Sequence, residues 1–141
     1  MPIMRSKIRY INKQRAAMSC CGVALVNTLK WLGEDYTSSL ISELQAGGWL
    51  EKDGMTKIMF EGLLKIYQVP HFFRKPTDKN IDNALRSGRM VICFQDLGDY
   101  GMHVFVVLEK VGNIYKTLNG PENCESLQNM LRDNIIVVKG D

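Results

Sequence analysis

Long hydrophobic runs are missing from this 141-residue chain. Nothing in it approaches the roughly 20 apolar residues that cross a bilayer. Its first residues also lack the uninterrupted apolar segment of a signal peptide. A dominant charge is missing too: 18 basic and 15 acidic residues leave a net +3, scattered along the chain. That scatter argues against the clustered Lys/Arg face of a nucleic-acid binder. The basic opening "MPIMRSKIRYINKQR" interleaves its charges with Ile3, Ile8, Tyr10 and Ile11, as an ordered arm packed on the domain would. Cysteine is sparse, with Cys20, Cys21, Cys93 and Cys124 showing no paired spacing. This excludes a disulfide framework and, without a Cys-x-x-Cys knuckle, a zinc site, so no metal or cofactor is expected. Free thiols in a reducing cytoplasm are the expectation. There are no repeats, low-complexity tracts or linkers, and residues 1–141 read as a single domain with one sizeable core.

Helical signals fill the first half. Ser19 is placed to cap a helix that begins at Cys20 or Cys21, with Gly22, Leu25, Val26, Leu29 and Leu32 at helical spacing and Gly33 at its end. A short helix is predicted around Ser38–Ala46, stopped by Gly47-Gly48. Another carries the stripe Met55, Ile58, Met59, Gly62, Leu63 and Ile66. A fourth runs from about Asp78 to Ser87 behind a Thr77 cap. Strands follow: "MVICF" (90–94), "HVFVVLEKV" (103–111), "IYKTLN" (114–119) and "IIVV" (135–138), with a helix expected over about Cys124–Leu131. Gly112-Asn113 makes the middle two strands a hairpin. Helices first and an antiparallel sheet later is the pattern of an α+β domain.

Two adjacent thiols at a helix start raise the question of a nucleophile. The unpaired N–H groups and the macrodipole there favour a thiolate. A histidine must then act as base, and the chain has two. His71, in the apolar "PHFF", suits a packed or edge position, whereas His103 opens a strand after the glycine-punctuated "DLGDYGM". A third group usually orients the imidazole, and Asn119 ends the neighbouring strand. An oxyanion can be held by the nucleophile's own N–H and a side-chain amide, for which Gln14 has the chemistry and the reach. Singly, each of these residues has an ordinary structural role; jointly, in the order Gln, Cys, His, Asn, they fit one reaction.

The chain resembles papain-like cysteine peptidases, and especially the bacteriocin-processing peptidase domain that cuts double-glycine leader peptides. "CCGVALVNTLKWLG" is similar to that family's Cys-Gly-x-Ala nucleophile helix, and "DGMTKIMFEGLLKIYQV" to its second helical segment. "NALRSGRMVICF" and "HVFVVLEKVGNIYKTLNGP" are similar to the helix–Gly–strand and the His-bearing hairpin that follow. The resemblance implies a papain-like fold, its N-terminal helices carrying the nucleophile on the first and packed on a C-terminal antiparallel sheet. It also implies Cys21 as nucleophile, His103 as base and acid, Asn119 as orienting residue and Gln14 as oxyanion donor. Three departures stand out. The bacteriocin-processing domains usually carry Asp where Asn119 stands, although papain has Asn. Cys20 occupies a slot usually acidic or Asn. The family's six-residue step from Gln to Cys, counted from Gln14, lands on Cys20. Because adjacent helical side chains diverge by about 100°, only one thiol can face His103. The glycine that follows the nucleophile favours Cys21.

Strand parity adds a geometric demand. A regular Gly112-Asn113 loop would pair residues whose numbers sum to 225, which turns His103 and Asn119 to opposite faces. A triad therefore predicts a one-residue irregularity between Lys110 and Ile114. The resulting function is hydrolysis of a peptide or isopeptide bond through a thioester, with Gly-Gly specificity implied by the resemblance alone. A non-catalytic peptide-binding module and a thioester acyltransferase or amidase are the alternatives. The loop Gln95–Met102, holding Asp96 and Asp99 between glycines, is the candidate specificity element. Gly47-Gly48 reads as a helix stop rather than a self-cleavage site.

Overall fold

A computed structural model describes residues 9–12, 20–34 and 57–140, together with the isolated helical positions Glu43 and Ala46. Gln14, Ser19 and most of the expected 38–46 helix lie outside the described residues. Among the described residues, three continuous helices precede or interrupt the sheet: α1 (Cys20–Trp31), α2 (Lys57–Ile66) and α3 (Asp78–Arg86). Each ends in a paired turn closed by a left-handed residue, namely Gly33, Gln68 and Gly88. The expected Thr77 cap is present, its hydroxyl accepting from the Asn80 N–H at 3.2 Å.

Five antiparallel strands form one sheet: β1 (His71–Arg74), β2 (Met90–Asp96), β3 (Met102–Val111), β4 (Ile114–Leu118) and β5 (Ile135–Val138), in spatial order β1-β5-β2-β3-β4. α1 and α2 cover one face, packing on Met90, Ile92, Phe94, Val104, Val106, Ile136 and Val138. α3 covers the other through Ile81 and Ala84, against Val91, Cys93, Phe105, Val107 and Val137. Burial on both faces explains why the central strands read as continuous apolar runs rather than as alternating ones. α1 is buried nearly all round, including the polar Asn27 and Thr28. None of the described helices is long and apolar enough to cross a membrane.

Several expectations shift. β1 was not anticipated; four residues beside a proline carry little periodicity. The region 124–131 is no helix: Cys124 bridges Tyr115, and only Gln128–Met130 makes a single 3-10 turn. Asp78 replaces helical hydrogen bonding there, its carboxylate accepting from the Leu127 and Gln128 N–H groups at 2.8 and 3.1 Å. On α2 the buried face is Phe60, Leu63 and Leu64, while Ile58 and Ile66 from the expected stripe are 81% and 60% exposed. Phe60 decides this rotation, its ring meeting Phe94 edge-on at 6.2 Å.

The β3–β4 irregularity exists but lies elsewhere. Val111 pairs with Ile114 across a regular two-residue turn, with Gly112 at φ 60°. The register slips further along, between Val107 and Glu109, where Leu108 is the extra residue. Beyond the bulge Val106 faces Leu118. The slip is therefore the one-residue shift that parity required, displaced from the loop into the strand.

Candidate active site

Cys20 is the first residue of α1, where the leading N–H groups have no intrahelical partner. The helix points this end at the start of β3, and Cys20 meets His103 there. The Cys20 thiol is pulled down to about 4. The Cys21 thiol, donating to the Cys20 sulfur, is the largest cause; burial opposes it, and His103 and the Val104 N–H add to it. His103 moves the other way, held above its ordinary value first by its hydrogen bond to Cys20 and then by Asn119, against the opposing effect of burial. A thiolate–imidazolium pair follows from these two shifts.

The imidazole is fixed from its far side. Its Nε2 lies 2.5 Å from the backbone carbonyl oxygen of Asn119. A carbonyl only accepts, so Nε2 carries the proton and Nδ1 is left for the Cys20 sulfur. The ring also stacks on Phe105, with centroids 6.5 Å apart and planes 21° from parallel. Asn119 sits just past β4 at φ 56°, a left-handed conformation that Asn tolerates better than most residues. The next residue, Gly120, approaches Phe105 so closely that a Cβ there would fall 2.6 Å from the ring. Asn-Gly thus aims a carbonyl at His103 while the chain presses on the ring that supports it.

A second support comes from the arm 9–12, which reads in the sequence as an ordered arm packed on the domain without revealing its partners. The Asn27 side chain, wholly buried in α1, accepts from the Ile11 N–H and donates to the Ile11 carbonyl, both at 2.8 Å. Asn12 then accepts the Asn119 N–H on its own carbonyl at 3.0 Å. The arm ties the helix bearing Cys20 to the turn bearing Asn119. A polar residue in the middle of the apolar "GVALVNTL" was the available signal, since a buried amide needs partners.

Of the four expected site residues, the structure brings His103 and Asn119 together, the latter through its main chain. Gln14 lies outside the described residues. Cys21 is not brought to His103: it is 3% exposed and packed in the core on the α1 face, and Cys20 is the thiol beside His103. The roughly 100° between successive helical side chains separates the two. The six-residue step from Gln14 thus agrees with the geometry, and the Cys-Gly-x-Ala alignment does not. His71 is engaged elsewhere, its Nδ1 2.7 Å from the Val69 carbonyl. In the 95–102 loop, Asp96 is occupied in a turn, accepting the Gly98 N–H at 2.8 Å. Gln95 pairs with His103 across β2 and β3, so both lie on one face at the site's edge. No three potential metal-ligating side chains cluster among the described residues.

No family model matches the sequence, and no curated protein does. Solved structures do match by fold. The peptidase domain of Streptococcus ComA, a bifunctional ABC transporter involved in a quorum-sensing pathway, superposes with a TM-score of 0.67 at 17% identity, covering 92% of this chain and 97% of that one. A Bacillus anthracis protein assigned as C39-like peptidase superposes with a TM-score of 0.61 at 10% identity, covering 99% and 98%. The chain therefore has the α+β fold of C39 papain-like peptidase domains over nearly its whole length, as the sequence resemblance implied.

Proposed function

We propose that this chain is a cysteine peptidase in which Cys20 is the nucleophile and His103 the general base and acid. The single observation that carries the reading is the contact of Cys20 with an imidazole whose other nitrogen is held by the Asn119 carbonyl. The Cys20 thiolate attacks the scissile carbonyl carbon, and the carbonyl π-electrons move to oxygen. The Cys20 N–H at the helix start, with the Gln14 amide, stabilises that oxyanion. Imidazolium Nδ1–H then protonates the leaving amine as the C–N bond breaks, leaving a thioester on Cys20. Neutral His103 next takes a proton from water, the hydroxide displaces the thiolate, and the acid product departs. Asn119 orients the ring by its main chain.

The substrate is a peptide or isopeptide, and the sequence resemblance implies small residues such as Gly-Gly before the cut. None of the four cysteines is in a disulfide, which suits work in a reducing, cytoplasmic setting. The test is a papain-type electrophilic inhibitor followed by intact-mass measurement and peptide mapping. A single fast adduct on Cys20, lost in His103→Ala, is expected. Slow and equal labelling of all four cysteines, unchanged by that substitution, would indicate a peptide-binding module instead.

A further inference from the structure

Two cavities lie on the α3 side of the sheet, and their charges differ in kind. The larger, of about 370 Å³, is lined by Asp82, Glu109 and Lys110 among others. Its lining charges balance, with Asp82 and Glu109 against Arg86 and Lys110, and Lys110 pairs with Asp82 at 3.3 Å. The smaller, of about 210 Å³, lies between β1 and α3 and is lined by Phe72, Arg74, Asn80, Asn83, Ser87 and Arg89 among others. Three cations crowd its aromatic wall. The Arg74 and Arg89 guanidinium carbons lie 4.3 and 5.2 Å from the Phe72 ring centroid, and the Lys139 ammonium 5.5 Å from it.

Among the described residues, no ion pair reaches any of these three. The two α3 carboxylates that could have neutralised them are committed elsewhere. Asp78 holds Ser126, Leu127 and Gln128, and Asp82 accepts from Tyr115 at 2.6 Å as well as from Lys110. Like charges gathered over one ring repel each other unless an anion joins them. Two guanidiniums beside one cavity form a carboxylate receptor, because each guanidinium can offer a carboxylate two parallel N–H donors. The cavity is below the usual size for a cofactor and suits one side chain.

β1 says what brings that side chain. It is the terminal strand of the sheet, and among the described residues nothing pairs with its outer edge. An extended peptide can add there through its main chain, sending alternate side chains to the α3 face. We propose that the β1–α3 pocket is a docking site for an acidic, extended peptide segment, one carboxylate of which is clamped by Arg74 and Arg89. Resting on the peptidase reading, this segment belongs to the substrate. A segment on the outer edge of β1 lies four inter-strand steps, roughly 19 Å, from β3. At least about five extended residues must therefore connect the docked segment to the bond cut at Cys20.

The test uses full-length Cys20→Ala protein, in which binding is read without turnover, and a fluorescent peptide of alternating Thr and Glu. Saturable binding that weakens with salt is expected. It should fall at least tenfold for the Thr/Gln counterpart and in Arg74→Glu/Arg89→Glu. Equal binding of the Glu and Gln peptides, or parent-like binding by the double variant, overturns the site. So does binding of inorganic phosphate without binding of the Glu peptide. In the Cys20-containing protein, the double variant should keep parent-like Cys20 labelling, which reports an intact fold. Unselective labelling of the parent alongside intact Glu-peptide binding would remove the peptidase reading and leave the pocket.

Discussion

Cys20 and Cys93 carry the same thiol in two regions of one molecule and behave oppositely. Cys93 sits mid-strand in β2, wholly buried on the α3 face, and burial drives its thiol far above the ordinary value. Cys20 is half-buried at the junction of helix and sheet, and burial pushes its thiol upward as well. The difference is partners: Cys20 has a neighbouring thiol, an imidazole and a backbone N–H, and together they outweigh the desolvation that governs Cys93. Reactivity in this fold belongs to the seams between elements, where polar groups from different segments converge, and not to the interior of an element.

That contrast can be broken most severely at His103. His103→Ala should lower peptide turnover by on the order of 10²–10⁴-fold and slow Cys20 alkylation, narrowing its advantage over Cys93 in a competitive labelling experiment followed by peptide mapping. Loosening the arm comes next. Asn27→Leu leaves the Ile11 N–H and carbonyl without their partner, at a cost of about 1–3 kcal/mol, seen as a lower denaturation midpoint. Cys20 labelling should drop beyond the stability loss, because the Asn119 turn loses its tether.

Titration sharpens the contrast instead. Cys20 alkylation should persist as pH falls and fade only near 4, where the thiolate gains its proton, while Cys93 stays unmodified until the protein unfolds. In the proposed mechanism, acylation also needs the imidazolium as proton donor. Peptide turnover should therefore decline on the alkaline side as pH rises through the elevated His103 value. Cys21→Ala should move the acid limb upward by removing the thiol that donates to Cys20, with Cys21→Ser restoring part of the shift; rate–pH profiles of both variants check this. The smallest effect is expected at residue 119. Asn119→Gly accepts the left-handed φ and keeps the carbonyl on His103, whereas Asn119→Ala opposes that φ by about 1–2 kcal/mol. Labelling rates should rank Asn, then Gly, then Ala.

Much of the fold was legible because its signals are local. Capping by Thr77, the stop at Gly33, the apolar runs of β2 and β5 and the Gly112-Asn113 hairpin each reside in a few consecutive residues. The site was legible as a set of residue types and a chain order, and only partly as geometry. Cys20 and Cys21 are equivalent to any reading of composition; only the rotation of α1 against β3 separates them. The bulge at Leu108 could be demanded by parity but not located, since no residue there is a turn former. Asn119 offered an amide to the sequence reader, yet its contact with His103 is made by the carbonyl that every residue possesses. The Asn27–Ile11 and Asn12–Asn119 links join segments far apart in the chain, so no local pattern announces them.

The Asn12–Asn119 link also sets an order in time. Its partners are 107 residues apart, and closing so long a loop is entropically costly until the intervening core has formed. During synthesis, Cys20 leaves the ribosome early and Asn119 late. The reactive thiol therefore exists well before anything can orient its base. A nascent or half-folded chain carries an ordinary, sluggish cysteine, and the proposed peptidase chemistry would start only when the arm meets the last hairpin.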